Sequence, residues 1–313
     1  MRYGVPRSGP MDRLAHAVAN AAVGNAVDAT ALEISLGGLS LECRRGPVTV
    51  AVAGGEFSVR CDGRQLASWS VITLDIGQRL EIAAGRAGSW AYLAVAGEVR
   101  TTTWLGSAAT HSTSGFGGGS LGSGDEIGVD SARVSPALDG ELVVPSIARP
   151  RRTISVVMGP QDHHLTIGAR DAFVQSSFEL TPAADRMGVR LAGPQLELGG
   201  ALSIPSEPIV RGSIQVAGDG VPTLLTADHQ TTGGYPKIAT LVSSEIDRAA
   251  QLRAPDQIRF VPVSPAEAVA AARSHARAYA DALAAVASSR RTLAHRLREH
   301  NLIGDAAPEV TAD

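Results

Sequence analysis

Residues 255–260 read Pro-Asp-Gln-Ile-Arg-Phe: a turn residue, two polar positions, then an apolar–polar–apolar alternation. Side chains in a strand point alternately to opposite faces, so Ile258 and Phe260 share one face while Gln257 and Arg259 share the other. The design recurs at 77–82 (Gly-Gln-Arg-Leu-Glu-Ile) and at 124–129 (Gly-Asp-Glu-Ile-Gly-Val), hence in both halves of the chain. That recurrence points to two related β barrels or sandwiches. Elsewhere short Val/Ile/Leu runs sit between Gly, Pro and Asp residues, as in a mostly β protein of many short strands.

Two stretches break the β pattern. Residues 12–23 (DRLAHAVANAAV) predict a short N-terminal helix with Asp12 as N-cap and Gly24 just past its end. Residues 264–299 predict a C-terminal α-helix that opens on the capping box Ser264-Pro265-Ala266-Glu267. Its apolar face is weak, which suits a surface or a partner, and the tail after Asn301 is expected to fray. The segment Val144–Arg152, with two prolines and a basic run, marks a domain boundary. The expected units are residues 1–146, residues 147–263, a helix over 264–300 and a flexible tail over 301–313. The Gly/Ser stretch 106–124 is long enough for a flap or a flexible crossing.

Composition removes several classes of function. A net charge of −3 and a pI near 6.2 disfavour nucleic acid and anionic membrane surfaces. No apolar run reaches the roughly 20 residues of a membrane helix, and the N-terminus has no secretory apolar core. Cys43 and Cys61 form neither a metal spacing nor a disulfide framework, which fits a soluble protein of a reducing cytoplasm. Gly117-x-Gly119-x-x-Gly122 and Gly118-x-Ser120-x-Gly122 match a dinucleotide fingerprint and a nucleophile elbow. Each needs a strand-to-helix turn, and here an acidic turn and a strand follow. There is no P-loop. Asp162-His163-His164 lacks ligand spacing for a metal, and His275, His295 and His300 are expected to be solvated on the polar helix.

What remains is residues 224–240, LLTADHQTTGGYPKIAT, polar chemistry between two strands. Asp228, Gln230, Thr231, Thr232, Tyr235 and Lys237 bring a carboxylate, an amide, hydroxyls, a phenol and an ammonium together. Gly233 and Gly234 permit positive φ and close approach to a ligand. Lys237 is the only lysine; every other basic side chain is arginine. An ammonium offers a compact, tunable charge that arginine does not. The N-terminal stretch GVPRSGPMD (4–12) adds Arg7, a candidate carboxylate or phosphate clamp, and Ser8. Asp185 and Arg186 read as turn residues, and Gln215 as a strand residue able to face a pocket. The expected arrangement sets Lys237, Asp228 and Tyr235 as catalytic groups. Arg7, Ser8, Gln215, Gln230, Thr231, Thr232, Gly233 and Gly234 bind substrate, with no metal. The 228–237 groups face Arg7 across one pocket.

The phrases PRSGPMD (6–12), GPQD (159–162), DRMGVRL (185–191), GSIQV (212–216) and QTTGGYP (230–236) stand in an order that resembles one family. It is known as allophanate hydrolase subunit 2, the 5-oxoprolinase C subunit or KipA, and is similar to half of the carboxyltransferase region of biotin-dependent urea carboxylase. The resemblance runs to about Val263 and implies two cyclophilin-like β-barrel domains. It also implies a subunit 1 (KipI-like, B component) partner and, in the 5-oxoprolinase system, a LamB/YcsF-like A component. Such a complex would use ATP, bound in part by the partners, to open the small cyclic amide 5-oxoproline to glutamate, and this chain would be inactive alone. The alternatives are biotin-dependent carboxyl transfer to urea or a similar amide, and a KipA-like regulator of a KipI-like histidine-kinase inhibitor. Other members carry a strand before this start, so either the start lies upstream or the first barrel lacks an edge strand. No Gly-Gly-Ser-Ser-Gly amidase motif and no Met-Lys-Met biotin-carrier motif occur.

Overall fold

The computed structural model describes residues 4–200 and 203–289. Its first half begins with α1 (Arg13–Ala22), followed by β1 (Leu32–Ile34), β2 (Leu39–Glu42), β3 (Val48–Ala53) and β4 (Ser58–Cys61). Then come β5 (Arg64–Leu66), β6 (Ser70–Leu74), β7 (Arg79–Ala83), β8 (Ala91–Val95), β9 (Glu98–Val99), β10 (Val129–Asp130) and β11 (Gly140–Glu141). Among the described residues the order β1-β8-β3-β6-β11 makes one antiparallel sheet and β2-β7-β4-β5 a second. Both sheets contribute to one core that includes Val50, Val52, Val59, Leu80, Ile82 and Leu93. Strand β7 is the 77–82 phrase, and it alternates as expected, with Leu80 and Ile82 inward.

The alanines of α1 let that helix lie close against the first sheet. Leu14, Val18 and Ala22 meet Ala51, Ala53, Tyr92 and Ala94 in a second core. Asp12 caps the helix by accepting from the Ala15 amide at 2.9 Å, and Gly24 follows in the left-handed region.

The second half contains β12 (Thr153–Met158), α2 (Ile167–Gln175), β13 (Ser177–Ala184), β14 (Gly188–Ala192), β15 (Glu207–Pro208) and β16 (Ser213–Val216). It continues with β17 (Pro222–Leu225), β18 (Thr232–Gly233), β19 (Lys237–Leu241), α3 (Ile246–Ala250) and β20 (Gln257–Pro262). Here the sheet closes: β12-β19-β16-β17-β14-β13-β20 is a barrel, completed by the parallel pair β20 and β12, with Phe260 opposite Ile154. Closure removes free strand edges. Phe173 of α2 stacks on Phe260 at 4.9 Å, and Phe178 completes the aromatic centre of the core. The mostly β reading of the sequence holds. The second half forms a closed ring, while the first distributes its strands over two facing sheets.

Helix α4 (Pro265–Ser289) starts at the expected capping box: the Ser264 amide donates to Glu267 at 2.8 Å and the Glu267 amide to Ser264 Oγ at 3.3 Å. The rest of the expected helix and the 301–313 tail lie outside the described residues. So do His295 and His300. The helix is covered within the chain itself, since Tyr279, Leu283 and Val286 pack onto the α1 core. His275 is accordingly half-buried beside Tyr279 rather than solvated. The 124–129 phrase yields less than its pattern suggests: only Val129 and Asp130 pair, with Val99 and Glu98. No described helix is long and apolar enough to cross a membrane.

Candidate active site at the junction of the halves

Asp228 follows β17 and is buried in a ring of donors. Arg186, from the β13–β14 turn, gives it a bidentate pair through Nε and an Nη, both at 2.9 Å. Ser8 Oγ donates to the same carboxylate at 2.5 Å, and Ser112 donates both its amide (3.0 Å) and its hydroxyl (2.9 Å). Burial pushes the Asp228 carboxyl up, but the Arg186 guanidinium outweighs it and holds the group below the usual carboxylate range. Asp228 is therefore an anion fixed on donors. Such a carboxylate orients its neighbours and is a poor general base.

Arg186 extends the network into the first half. It pairs with Glu33, and one Nη also donates to Ser8 Oγ at 3.0 Å and to the Gly9 carbonyl at 2.8 Å. Glu33 accepts in turn from the Tyr92 hydroxyl at 2.7 Å and the Met11 amide at 2.8 Å. Further along the junction Arg211 donates to the Pro10 and Met11 carbonyls, and Gln251 donates to Asp12 at 2.8 Å. Ser8 itself has φ +51°, a left-handed conformation unusual for serine. Backbone strain of this kind is concentrated at functional sites.

Two cavities flank this wall. A cleft of about 730 Å³ runs between the halves, bordered by Trp90, Ser112, Arg186, Arg211, Leu225 and Arg253. A smaller recess of about 130 Å³ lies where the 104–116 loop folds over Arg7 and Ser8. The Gly/Ser stretch is tied down rather than a free flap. The Gly118 amide donates to Ala108 O at 2.9 Å, Thr102 donates to Gly117 O at 2.6 Å, and Ser112 reaches Asp228. Gly117 has φ +95°, and a Cβ there would stand 2.1 Å from the Ala109 carbonyl, so only glycine fits this crossing.

The structure divides the constellation expected from the sequence. Ser8 and Asp228 meet, with Arg7 exposed beside the recess. Lys237, Tyr235, Gln230 and Thr232 line neither of these two cavities. Lys237 opens β19 opposite Gln215, and its buried ammonium pairs with Glu207 at 3.0 Å. Gln161 also donates to Glu207, at 2.5 Å, and accepts from the Lys237 amide at 2.9 Å. The Lys237 hydrogen bond and charge lower the Glu207 carboxyl below its ordinary value. Gln215 is buried and binds the Tyr235 carbonyl and the Gln230 side chain. Thr231 reaches the Gly4 carbonyl at 3.4 Å, and Thr232 pairs in the β15–β18 ribbon. Gly233 and Gly234 do not adopt positive φ. Both are closely packed instead: a Cβ on Gly233 would lie 2.4 Å from Ile209 Cδ1, the tip of a side chain that would have to move, and one on Gly234 would lie 3.0 Å from the Ile204 carbonyl. Asp162, His163 and His164 form a short helical turn, and no metal-ligand group occurs among the described residues.

Sequence reasoning passed over Glu33, Ser112 and Glu207, and read Arg186 as a turn residue, which it is, without its role in the junction. The conspicuous neighbourhood of Arg186, Asp185-Arg-Met-Gly, was the one available signal.

Residues 3–262 match the family model described as carboxyltransferase domain, subdomain A and B. The chain is 32% identical over 277 residues to the 5-oxoprolinase C subunit of Escherichia coli, covering 88% of each protein. To the Haemophilus influenzae 5-oxoprolinase C subunit it is 31% identical, covering 85% of this chain and 86% of that one. Among solved structures, the Kluyveromyces lactis urea amidolyase superposes with a TM-score of 0.79 at 26% identity. That match takes in 89% of this chain but 18% of the amidolyase, so this chain corresponds to a small part of that enzyme. With the family's match spanning both halves and the junction between them, the chain belongs to the carboxyltransferase domain family, subdomains A and B.

Proposed function

We propose that this chain is one subunit of a heteromeric hydrolase that opens a small cyclic amide, 5-oxoproline, to glutamate. The observation that carries this is the 31–32% identity to two 5-oxoprolinase C subunits, of which this chain covers 86% and 88%. The junction suits a role within a complex. Asp228 is committed to Arg186 and Ser8 and is itself no free general base. In this reading the chain holds and orients the substrate at Ser8 and Arg7, with Asp228 and Arg186 keeping Ser8 in place. Lys237, through Glu207, keeps the 230–236 turn in register. The partners are a KipI-like B component and a LamB/YcsF-like A component. ATP belongs to the complex: the recess holds roughly four water volumes, too little for a nucleoside triphosphate, so any contact of this chain with ATP would fall in the larger cleft.

A second reading is carboxyl transfer to urea or a similar amide from carboxybiotin on a separate protein. The family model and the urea amidolyase superposition favour it.

Co-expression with the KipI-like and LamB/YcsF-like neighbours tests both. ATP-dependent glutamate formation that needs all three chains establishes the lactam reading. A stable complex that forms no glutamate, yet carboxylates urea when given carboxybiotin, replaces it with the second.

A further inference from the structure

The small recess has an uneven chemistry. Its walls include Pro6, Arg7, Trp104, Leu105, His111 and Phe116, and no Asp or Glu lines it. Trp104 and Phe116 are stacked on each other, with centroids 4.2 Å apart and planes within 10°, so one side is a rigid aromatic wall. The Arg7 guanidinium has no hydrogen-bond or ion-pair partner among the described residues. His111 is oriented by Ser114, whose backbone amide points at Nδ1 from 3.3 Å while its hydroxyl lies 2.7 Å away. A backbone N–H can only donate, so Nδ1 accepts and the neutral ring carries its proton on Nε2. Nε2 has no partner among the described residues. The recess therefore offers a guanidinium fork and a ring N–H, both donors, beside an apolar wall. Behind it, the charge of Asp228 is already paired with Arg186.

We propose that this recess is a subsite for the carboxylate of a small planar acid. The carboxylate oxygens take the Arg7 fork and the His111 Nε2–H, and the body of the molecule lies along Trp104 and Phe116. Donors without acceptors select an anion, and arginine matches a carboxylate's two oxygens. In naming the acid the inference rests on the lactam reading above: 5-oxoproline carries a carboxylate, whereas urea carries none. The subsite thus reads the acid group, away from the amide that reacts.

The test is fluorescence titration of the full chain, with Trp104→Phe to assign the signal. L-5-oxoproline is compared with 2-pyrrolidinone, the same ring without the acid. The acid is expected to give a saturable change that Trp104→Phe removes, and 2-pyrrolidinone to bind at least about tenfold more weakly, as loss of a charge-assisted hydrogen bond implies. Arg7→Met and His111→Phe should each weaken the acid by about tenfold. His111→Gln, whose amide nitrogen stands near the Nε2 position, should recover most of the loss. Equal binding of the two compounds, no saturation by the acid, or variants that bind like the parent would overturn the subsite. The two proposals fail separately. A chain that binds the acid in this way within a complex that forms no glutamate keeps the subsite and loses the hydrolase. A complex that turns over 5-oxoproline with unchanged kcat and KM in Arg7→Met and His111→Phe does the reverse.

Discussion

Arg186 and Asp228 lie side by side with two hydrogen bonds of 2.9 Å between them, and the Asp228 side chain is wholly buried. Arg186→Met would leave that carboxylate buried without its counter-charge, which costs about 3–5 kcal/mol in comparable pairs. Urea denaturation of parent and variant is the check. Arg186→Met with Asp228→Asn should recover part of the loss, because the buried Asp228 charge is then removed and only the partly exposed Glu33 lacks its partner.

Asp12 gives a pH dependence of defined sign. Burial first, and Asp247 second, raise its carboxyl from 3.8 to about 7. Below pH 3.8 both folded and unfolded chains hold this proton, and its contribution to stability is fully present. As pH rises toward 7 the unfolded chain ionises first, so the contribution is lost across that window. Asp12→Asn keeps an N-cap side chain without the charge. Its stability between pH 4 and 7 should be flatter than that of the parent, as followed by denaturant midpoints. Asp228, with its value lowered, acts in the opposite direction and weakens the fold only in stronger acid.

Lys237 and Glu207 should respond unequally to mutation. The lysine side chain is 6% exposed and the glutamate 49%. Lys237→Met leaves Glu207 free to hydrate, whereas Glu207→Ala leaves a buried ammonium with no counter-charge. The expected order of thermal midpoints is parent, then Lys237→Met, then Glu207→Ala. Equal losses would mean that the ammonium reaches water unaided.

Gly117→Ala should loosen the 104–119 loop, because the new Cβ meets backbone 2.1 Å away at a φ of +95°. A cost above about 1 kcal/mol follows from the backbone conformation alone. Hydrogen exchange should show faster labelling at Gly118 and His111, whose amides donate across that loop, with the barrel unchanged.

Local grammar was readable from sequence where local physics decides. Asp12 caps α1, Ser264 and Glu267 form their capping box, and Leu80, Ile82, Ile258 and Phe260 alternate into cores as their spacing requires. The 228–237 stretch was rightly singled out as polar, but its partners could not be read. Asp228 looks to Ser8, Ser112 and Arg186, and Lys237 looks to Glu207, across separations that no periodicity encodes. The Gly233-Gly234 pair misled for a similar reason: sequence shows two glycines, while only the structure shows that their φ is ordinary and that neighbours crowd them.

Ser8 and Asp228 are 220 residues apart. During synthesis the N-terminal motif leaves the ribosome long before its carboxylate exists, and Arg186 must emerge before Asp228 can be neutralised. Closing so long a loop is entropically unfavourable until both sheets of the first half and the barrel are formed. The junction therefore cannot form before Arg186 and Asp228 have both been made, and α4, which packs onto α1, follows them in the chain. A nascent or truncated chain can display every strand of the first half and still have no site for a partner or substrate to recognise.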